Sequence, residues 1–255
     1  SYPVSVKSFS GATMFETAVA EAKAAYPSSD TVILAGPGDS WVDALAGAGL
    51  AGALDCPILF TERTSLHAAT KEALKQMGVK SAVVLGGTAA VSDGVVEELK
   101  GMGITLKARL GGADCYDTQM KIYDYGLDNG LWGKDVVIFA TGGHYGDALS
   151  ASPVAFAKKA PIFLVDSATK DLSEVQRESL TQAAKNGYGT TVLIAGGVEA
   201  VSAAAAGTAD FVSSLAGGSG ESTRLGGATQ YETSSAIASW AVANAEFSWD
   251  NTAFT

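Results

Sequence analysis
The hydrophobic positions of the chain fall into short apolar runs separated by segments with a helical period. Val32-Ile33-Leu34 is one such run, followed by Gly36 and Gly38 and then by Trp41-Val42-Asp43-Ala44-Leu45. That order reads as a buried strand, a glycine-rich loop and the first turn of a helix. Before it, Ser1–Phe9 reads as an extended leading segment. Thr13 with Glu16 three residues on has the spacing of a capping box, opening a helix to about Ala25 with a stripe of Phe15, Val19 and Ala22. Tyr26-Pro27 ends that helix. After the Val32–Ala35 strand the pattern predicts a helix from about Trp41 to Leu54, a strand Pro57–Thr61, a helix Ser65–Met77, a strand Ala82–Leu85, a helix Val91–Met102 and a strand Ile104–Leu110. Strands alternating with helices of this length predict a mainly parallel sheet covered by helices on its faces.

The pattern then restarts. Val136–Leu149, VVIFATGGHYGDAL, repeats the strand, glycine loop and helix start, and both copies end in Asp-Ala-Leu, at Asp43 and Asp147. The helix-opening motif Phe9–Thr17 returns as Leu110–Thr118 and again as Leu225–Thr233. Pro57-Ile58-Leu59-Phe60 matches Pro161-Ile162-Phe163-Leu164. Val84-Leu85-Gly86-Gly87 matches Ile194-Ala195-Gly196-Gly197, and Val91-Ser92 matches Val201-Ser202. Four landmarks in one order besides the Asp-Ala-Leu loop, offset by roughly a hundred residues, describe duplication of a whole α/β unit rather than a solenoid. The reading divides the chain into a first repeat over 1–108, a second over 109–223 and the start of a third, cut short, over 224–255. The tail Asn251–Thr255 resembles the beginning of another Val136–Phe139 strand. The cut third copy leaves apolar helix surface that another repeat, or another chain, would cover, a route to homo-oligomers.

Composition narrows the function. Of 255 residues 47% are hydrophobic and 17% charged, a globular balance with core enough for one or two domains. The net charge of −10 argues against nucleic acid as a partner, because phosphate binding needs a basic face. No apolar run reaches the roughly eighteen residues of a spanning helix. No secretion signal precedes Ser1-Tyr2-Pro3, which signal removal and cytosolic residence predict equally. Cys56, before Pro57 and a strand, reads as buried and inert. Cys115 opens a helix, where a thiol gains reactivity, and a bond between the two is neither required nor excluded. The two histidines, His67 and His144, have no neighbours at metal-ligand spacing, so no metal and no cofactor is expected.

The candidate chemistry sits where loops leave the strand C-termini, the usual ligand edge of parallel sheets. Asp43 and Asp147 would there bind sugar hydroxyls or a cation, or serve as helix N-terminal acids that favour the dipole. Asp39 with Trp41, and His144 with Tyr145, place polar groups beside aromatic rings, a combination that suits a sugar face or simply covers the loop. A general base at His144 would need an orienting acid and a nucleophile, and the first copy has no matching histidine. The strand-end glycines lack phosphate-loop spacing and read as turns needing positive φ, with Ser92 and Ser202 at helix caps. Arg109 and Arg224 stand at the repeat junctions, to pair with acids of the adjacent copy or to face an anionic polymer.

The combination of R-L-G-G-x-x-x-Y-x-T (Arg109–Thr118, Arg224–Thr233), the loop ending V-D-A-L or G-D-A-L, P-I-[LF]-[FL] at Pro57 and Pro161, and the G-G strand end with V-S downstream resembles the cell-wall-binding type 2 repeat of Gram-positive surface proteins. The resemblance covers almost the whole chain. It implies tandem Rossmann- or Toprim-like α/β units assembling around a pseudo-threefold axis, two complete here and a third truncated. It implies a secreted, noncatalytic anchor at the cell wall or cell surface, holding noncovalently to an anionic cell-wall polymer. Asp39, Trp41, Asp43, His144, Tyr145, Asp147, Arg109 and Arg224 are the candidate polymer-binding residues. The family's arginine before the start-motif aromatic is here Met14, Cys115 and Gln230, which removes one guanidinium fork from each copy. The competing readings are a Rossmann-like enzyme acting on a sugar or phosphorylated substrate, and a self-assembling surface-layer component.

Overall fold
The expected alternation of strands and helices is realised twice. A computed structural model describes residues 8–227 and 229–247. Most of the leading segment and the strand-like tail lie outside the described residues. The first unit runs α1 (Met14–Ala25), β1 (Thr31–Ala35), α2 (Trp41–Ala46), α3 (Ala48–Leu54), β2 (Ile58–Phe60), α4 (Ala68–Gln76), β3 (Ser81–Leu85), α5 (Asp93–Gly101) and β4 (Thr105–Leu110). The second runs α6 (Cys115–Asp128), β5 (Val136–Thr141), α7 (Tyr145–Lys158), β6 (Ile162–Val165), α8 (Glu174–Ala184), β7 (Thr191–Ala195), α9 (Ala203–Leu215) and β8 (Thr223–Leu225), with α10 (Gln230–Asn244) after it. The strands form two four-stranded parallel sheets of the same order, β2-β1-β3-β4 and β6-β5-β7-β8. The tandem α/β architecture is therefore the one the repeats imply.

Local chemistry accounts for the elements. The Thr13–Glu16 capping box forms, and Thr229 with Glu232 forms the same box on α10. Ser202 caps α9 through its hydroxyl, whereas Ser92 occupies the cap position of α5 without a side-chain bond. In the first sheet the strand period of two divides the core. Val32, Leu34, Ala82 and Val84 face α1, α4 and α5, while Ile33, Ala35, Val83 and Leu85 face inward, into a core continuous with the second unit.

Glycine makes that junction. A Cβ on Gly49 would lie 1.9 Å from the Ala160 carbonyl oxygen, and one on Gly52 would lie 1.9 Å from that of Phe156. Backbone therefore meets backbone where α3 crosses the C-terminal part of α7. The single helix expected over Trp41–Leu54 is divided at Gly47, which presses on β3: a Cβ there would sit 2.5 Å from Leu85 Cδ1. Its counterpart α7 is unbroken. α6 closes the joint by packing on α2 and on β6. Buried Gln119 accepts the Leu164 N–H at 3.3 Å and Gln176 Nε2 at 2.8 Å, and Gln176 donates to the Leu164 carbonyl at 2.8 Å. The Leu164 backbone groups on the outer edge of β6 are thereby satisfied. α10 takes the corresponding place over the second unit, burying Ile237 and Ala241 and packing on α7.

Sheets and sequence copies are offset. β4 and β8 run across the expected 108/109 and 223/224 boundaries, so Arg109 and Arg224 open one copy's motif while lying on the last strand of the preceding sheet.

Candidate functional site
Each unit places a buried carboxylate at the C-terminal edge of its sheet. β1 leads through Gly36 and the Gly38–Ser40 turn into α2, whose first turn carries Asp43; β5 leads through Gly142-Gly143 into α7, whose first turn carries Asp147. Asp43 is 6% exposed and Asp147 4%. Neither acts as a cap: the cap positions are Ser40 and His144, and neither makes a side-chain cap bond.

The strand-end glycines make room for these carboxylates. Gly86 (φ +92°) and Gly196 (φ +116°) take the left-handed backbone their turns require. A Cβ on Gly86 would lie 2.9 Å from Asp43 Oδ2, and one on Gly196 would lie 2.6 Å from Asp147 Oδ2. From the other side the next motif closes in. A Cβ on Gly111 would be 2.2 Å from Gly86 C, and one on Gly226 would be 2.4 Å from Gly196 C. The double glycines therefore serve close approach as well as turning, which is why they recur in both motifs.

Burial controls the electrostatics. Desolvation pushes the Asp43 carboxyl up to about 6. Desolvation also raises Asp147, opposed by the nearby His144 and by a hydrogen bond from Thr233. His144 Nε2 stands 3.9 Å from Asp147 Oδ2. Burial, with Asp55 beside it, pushes the Cys56 thiol up to about 12. Both thiols are free. Cys115, expected to gain reactivity at its helix start, is instead raised, because burial, with Asp114 and Asp43 nearby, outweighs the backbone N–H groups of the helix end.

The remaining candidates divide in a way the sequence did not show. Trp41 and Tyr145, from different copies, meet edge-on at 6.0 Å between ring centroids, with Tyr145 57% exposed. The two edges are thus neighbours. Asp39 is exposed in the Gly38–Ser40 turn. Arg109 donates to the Val91 carbonyl at 2.7 Å and pairs with Asp93 at 3.2 Å, across the copy boundary but within the first unit. Arg224 donates to the Gly196 carbonyl at 3.0 Å and has no carboxylate partner among the described residues.

A cleft of about 510 Å³ opens at the second edge, bringing His144, Asp147 and Arg224 together with Val198, Glu199, Thr229, Gln230 and Thr233. The last five were not found from the sequence. The signal was there, in the three residues between the Gly-Gly and Val-Ser landmarks and in the third start motif, at its variable positions 229 and 230 and its closing Thr233. Among the described residues no group of three or more histidine, cysteine or acidic side chains could hold a metal ion, and no helix is long and apolar enough to cross a membrane.

Comparison with known proteins gives this arrangement its context. The chain is 30% identical to the N-acetylmuramoyl-L-alanine amidase LytC of Bacillus subtilis (strain 168) over 192 residues, 75% of this chain and 36% of that protein. It is 29% identical to the Amidase enhancer of the same organism over 158 residues, 62% of this chain and 21% of that protein. The chain thus spans about a third or less of these relatives. Among solved structures, Cwp8 from Clostridium difficile superposes with a TM-score of 0.76 at 25% identity, covering 90% of this chain and 37% of that one. Cwp6 from Clostridium difficile has the same fold, with a TM-score of 0.76 at 24% identity, covering 91% of this chain and 35% of that one. The profile of Cell wall binding domain 2 (CWB2) matches residues 9–96 and 109–206, one stretch in each unit. The chain accordingly belongs to the CWB2 family, as a tandem cell-wall-binding module of cell-wall-associated surface proteins.

Proposed function
We propose that the chain is a noncatalytic anchor whose strand C-terminal edges grip an anionic wall polymer noncovalently, with Asp39, Trp41, Asp43, Arg109, His144, Tyr145, Asp147 and Arg224 along the contact. The observation that supports this reading is the contact between Trp41 and Tyr145, which makes the two edges neighbours. The exposed Tyr145 ring and the half-buried Trp41 beside polar groups suit the faces of successive sugars, and two neighbouring weak sites gain avidity on a repeating polymer. Arg224 and the neutral sugar faces reconcile a −10 chain with an acidic ligand. An enzyme is the poorer reading. His144 and Asp147 stand 3.9 Å apart, beyond hydrogen-bond reach, and the neighbouring Thr229 hydroxyl accepts the Glu232 N–H in the cap of α10.

Sedimentation of the purified chain with Gram-positive walls, before and after extraction of their secondary polymers, tests the proposal. Retention on intact walls and release to the supernatant after extraction is the expected result. Retention that survives extraction overturns it, and pelleting without walls favours self-assembly instead.

A further inference from the structure
The two strand edges differ more than their shared ancestry requires. In the first unit Arg109 is fully engaged, holding the Val91 carbonyl and the Asp93 carboxylate. In the second, Ala203 stands at the first position of α9, where Asp93 opens α5. Arg224 is left with the Gly196 carbonyl alone among the described residues, and desolvation lowers its pKa. Two further replacements act in the same direction. His144 stands where the first unit has Ser40, and Thr229 caps its helix where Asp114 caps α6. One change opposes them: Glu199, exposed at the rim, replaces Ala89. The second cleft has therefore lost two acids and gained one acid and an imidazole. A half-buried guanidinium without a counter-charge is costly, and an arriving anion relieves that cost with a charge-assisted, two-pronged bond.

We propose that the second-unit cleft, and not its first-unit counterpart, seats an acidic sugar, with its carboxylate or phosphate on Arg224 and its hydroxyls on Thr229, Gln230 and Glu199. This rests on the reading that the strand edges grip the wall polymer, and it names the unit and the chemical class. The cleft volume of about 510 Å³ suits one sugar with its substituent. Asp147 does not compete for the guanidinium, since its described partners are His144 and Thr233. In the first unit the Asp93 carboxylate already occupies the position an anion would take.

The test is an NMR titration of the full chain with N-acetylmuramic acid, glucose 1-phosphate and neutral N-acetylglucosamine. The amides of Gly197, Gly227 and Thr229 report on the second cleft, and those of Gly87, Gly112 and Asp114 on the first. Both acidic probes are expected to shift the second set, with the neutral sugar weaker by about tenfold. Ala203→Asp rebuilds the Asp93 pair on an exposed helix start, where an acid is well tolerated, and is expected to weaken the acidic probes about tenfold. Asp93→Ala is expected to create a response in the first set. Equal binding of acidic and neutral probes, a wild-type response in both units, or indifference to Ala203→Asp overturns the inference. Wall retention separates the two readings. If it depends on the polymer but not on Ala203→Asp or Arg224→Gln, only the assignment to this cleft fails; if it ignores polymer extraction, the anchoring reading fails whatever the probes do.

Discussion

Replacing Asp43 by asparagine isolates the energetic consequence of burying a carboxylate at the strand edge. Asp43 is 6% exposed, and desolvation raises it from 3.8 to about 6. Its folded pKa lies above its unfolded one, so the folded protein binds more protons than the unfolded chain between those values. Stability contributed by the protonated group is complete below pH 3.8 and is lost as pH rises to about 6, after which the difference is constant. A shift of this size corresponds to about 3 kcal/mol at neutral pH. The asparagine side chain keeps the shape and never ionises. Asp43→Asn is therefore expected to match wild type near pH 4 and to exceed it by up to about 3 kcal/mol at pH 7, with a melting temperature higher by about 2–4 °C per kcal/mol. Urea unfolding of both proteins from pH 3.5 to 8 checks this, because the difference curve cancels every other titrating group. A variant less stable than wild type at pH 7, or a difference flat with pH, refutes the reasoning. Asp147→Asn is expected to gain less, since His144 and Thr233 already favour the charged form there.

Gly52→Ala places a methyl group against the Phe156 backbone and is expected to destabilise the joint between units by about 3 kcal/mol or more, seen as a lowered urea midpoint; a variant as stable as wild type would contradict the close helix contact. Cys56 is buried and its thiol pushed up to about 12, so a thiol reagent at pH 8 is expected to leave it unmodified until denaturant is added; rapid labelling of the native protein would count against this packing. Tyr231 is 77% exposed, while its equivalent Tyr116 accepts the Ser167 N–H at 2.9 Å. Light scattering is expected to find self-association that Tyr231→Ser reduces, and a strict monomer at all concentrations would refute that role.

Much of the architecture is legible in one copy of the motif because the physics is local. Short apolar runs such as Val32–Leu34 define strands, Thr13 with Glu16 starts a helix, and the repeated landmarks transfer each reading to the second unit. What escapes the sequence is what depends on distance. Gly47 within an apolar helical run gives no sign that Leu85 presses against it, and the helix is divided there. Trp41 and Tyr145 look like separate loop aromatics until α2 packs on α7 and brings them together. The buried state of Asp43 depends on Gly86 and Gly111, far away along the chain. The inequality of Arg109 and Arg224 lies in Asp93 and Ala203, at helix starts where an acid and an alanine are equally ordinary.

The central claim, that the wall polymer is held at the strand C-terminal edges, is tested most directly by mapping amide shifts while solubilised secondary wall polymer is added to the labelled chain. The account predicts perturbations confined to residues 38–43, 109, 142–147, 196–199 and 224–230, with the opposite ends of both sheets silent. Shifts centred on the N-terminal ends of the strands, around Thr31 and Val136, with those loops unmoved, would contradict it.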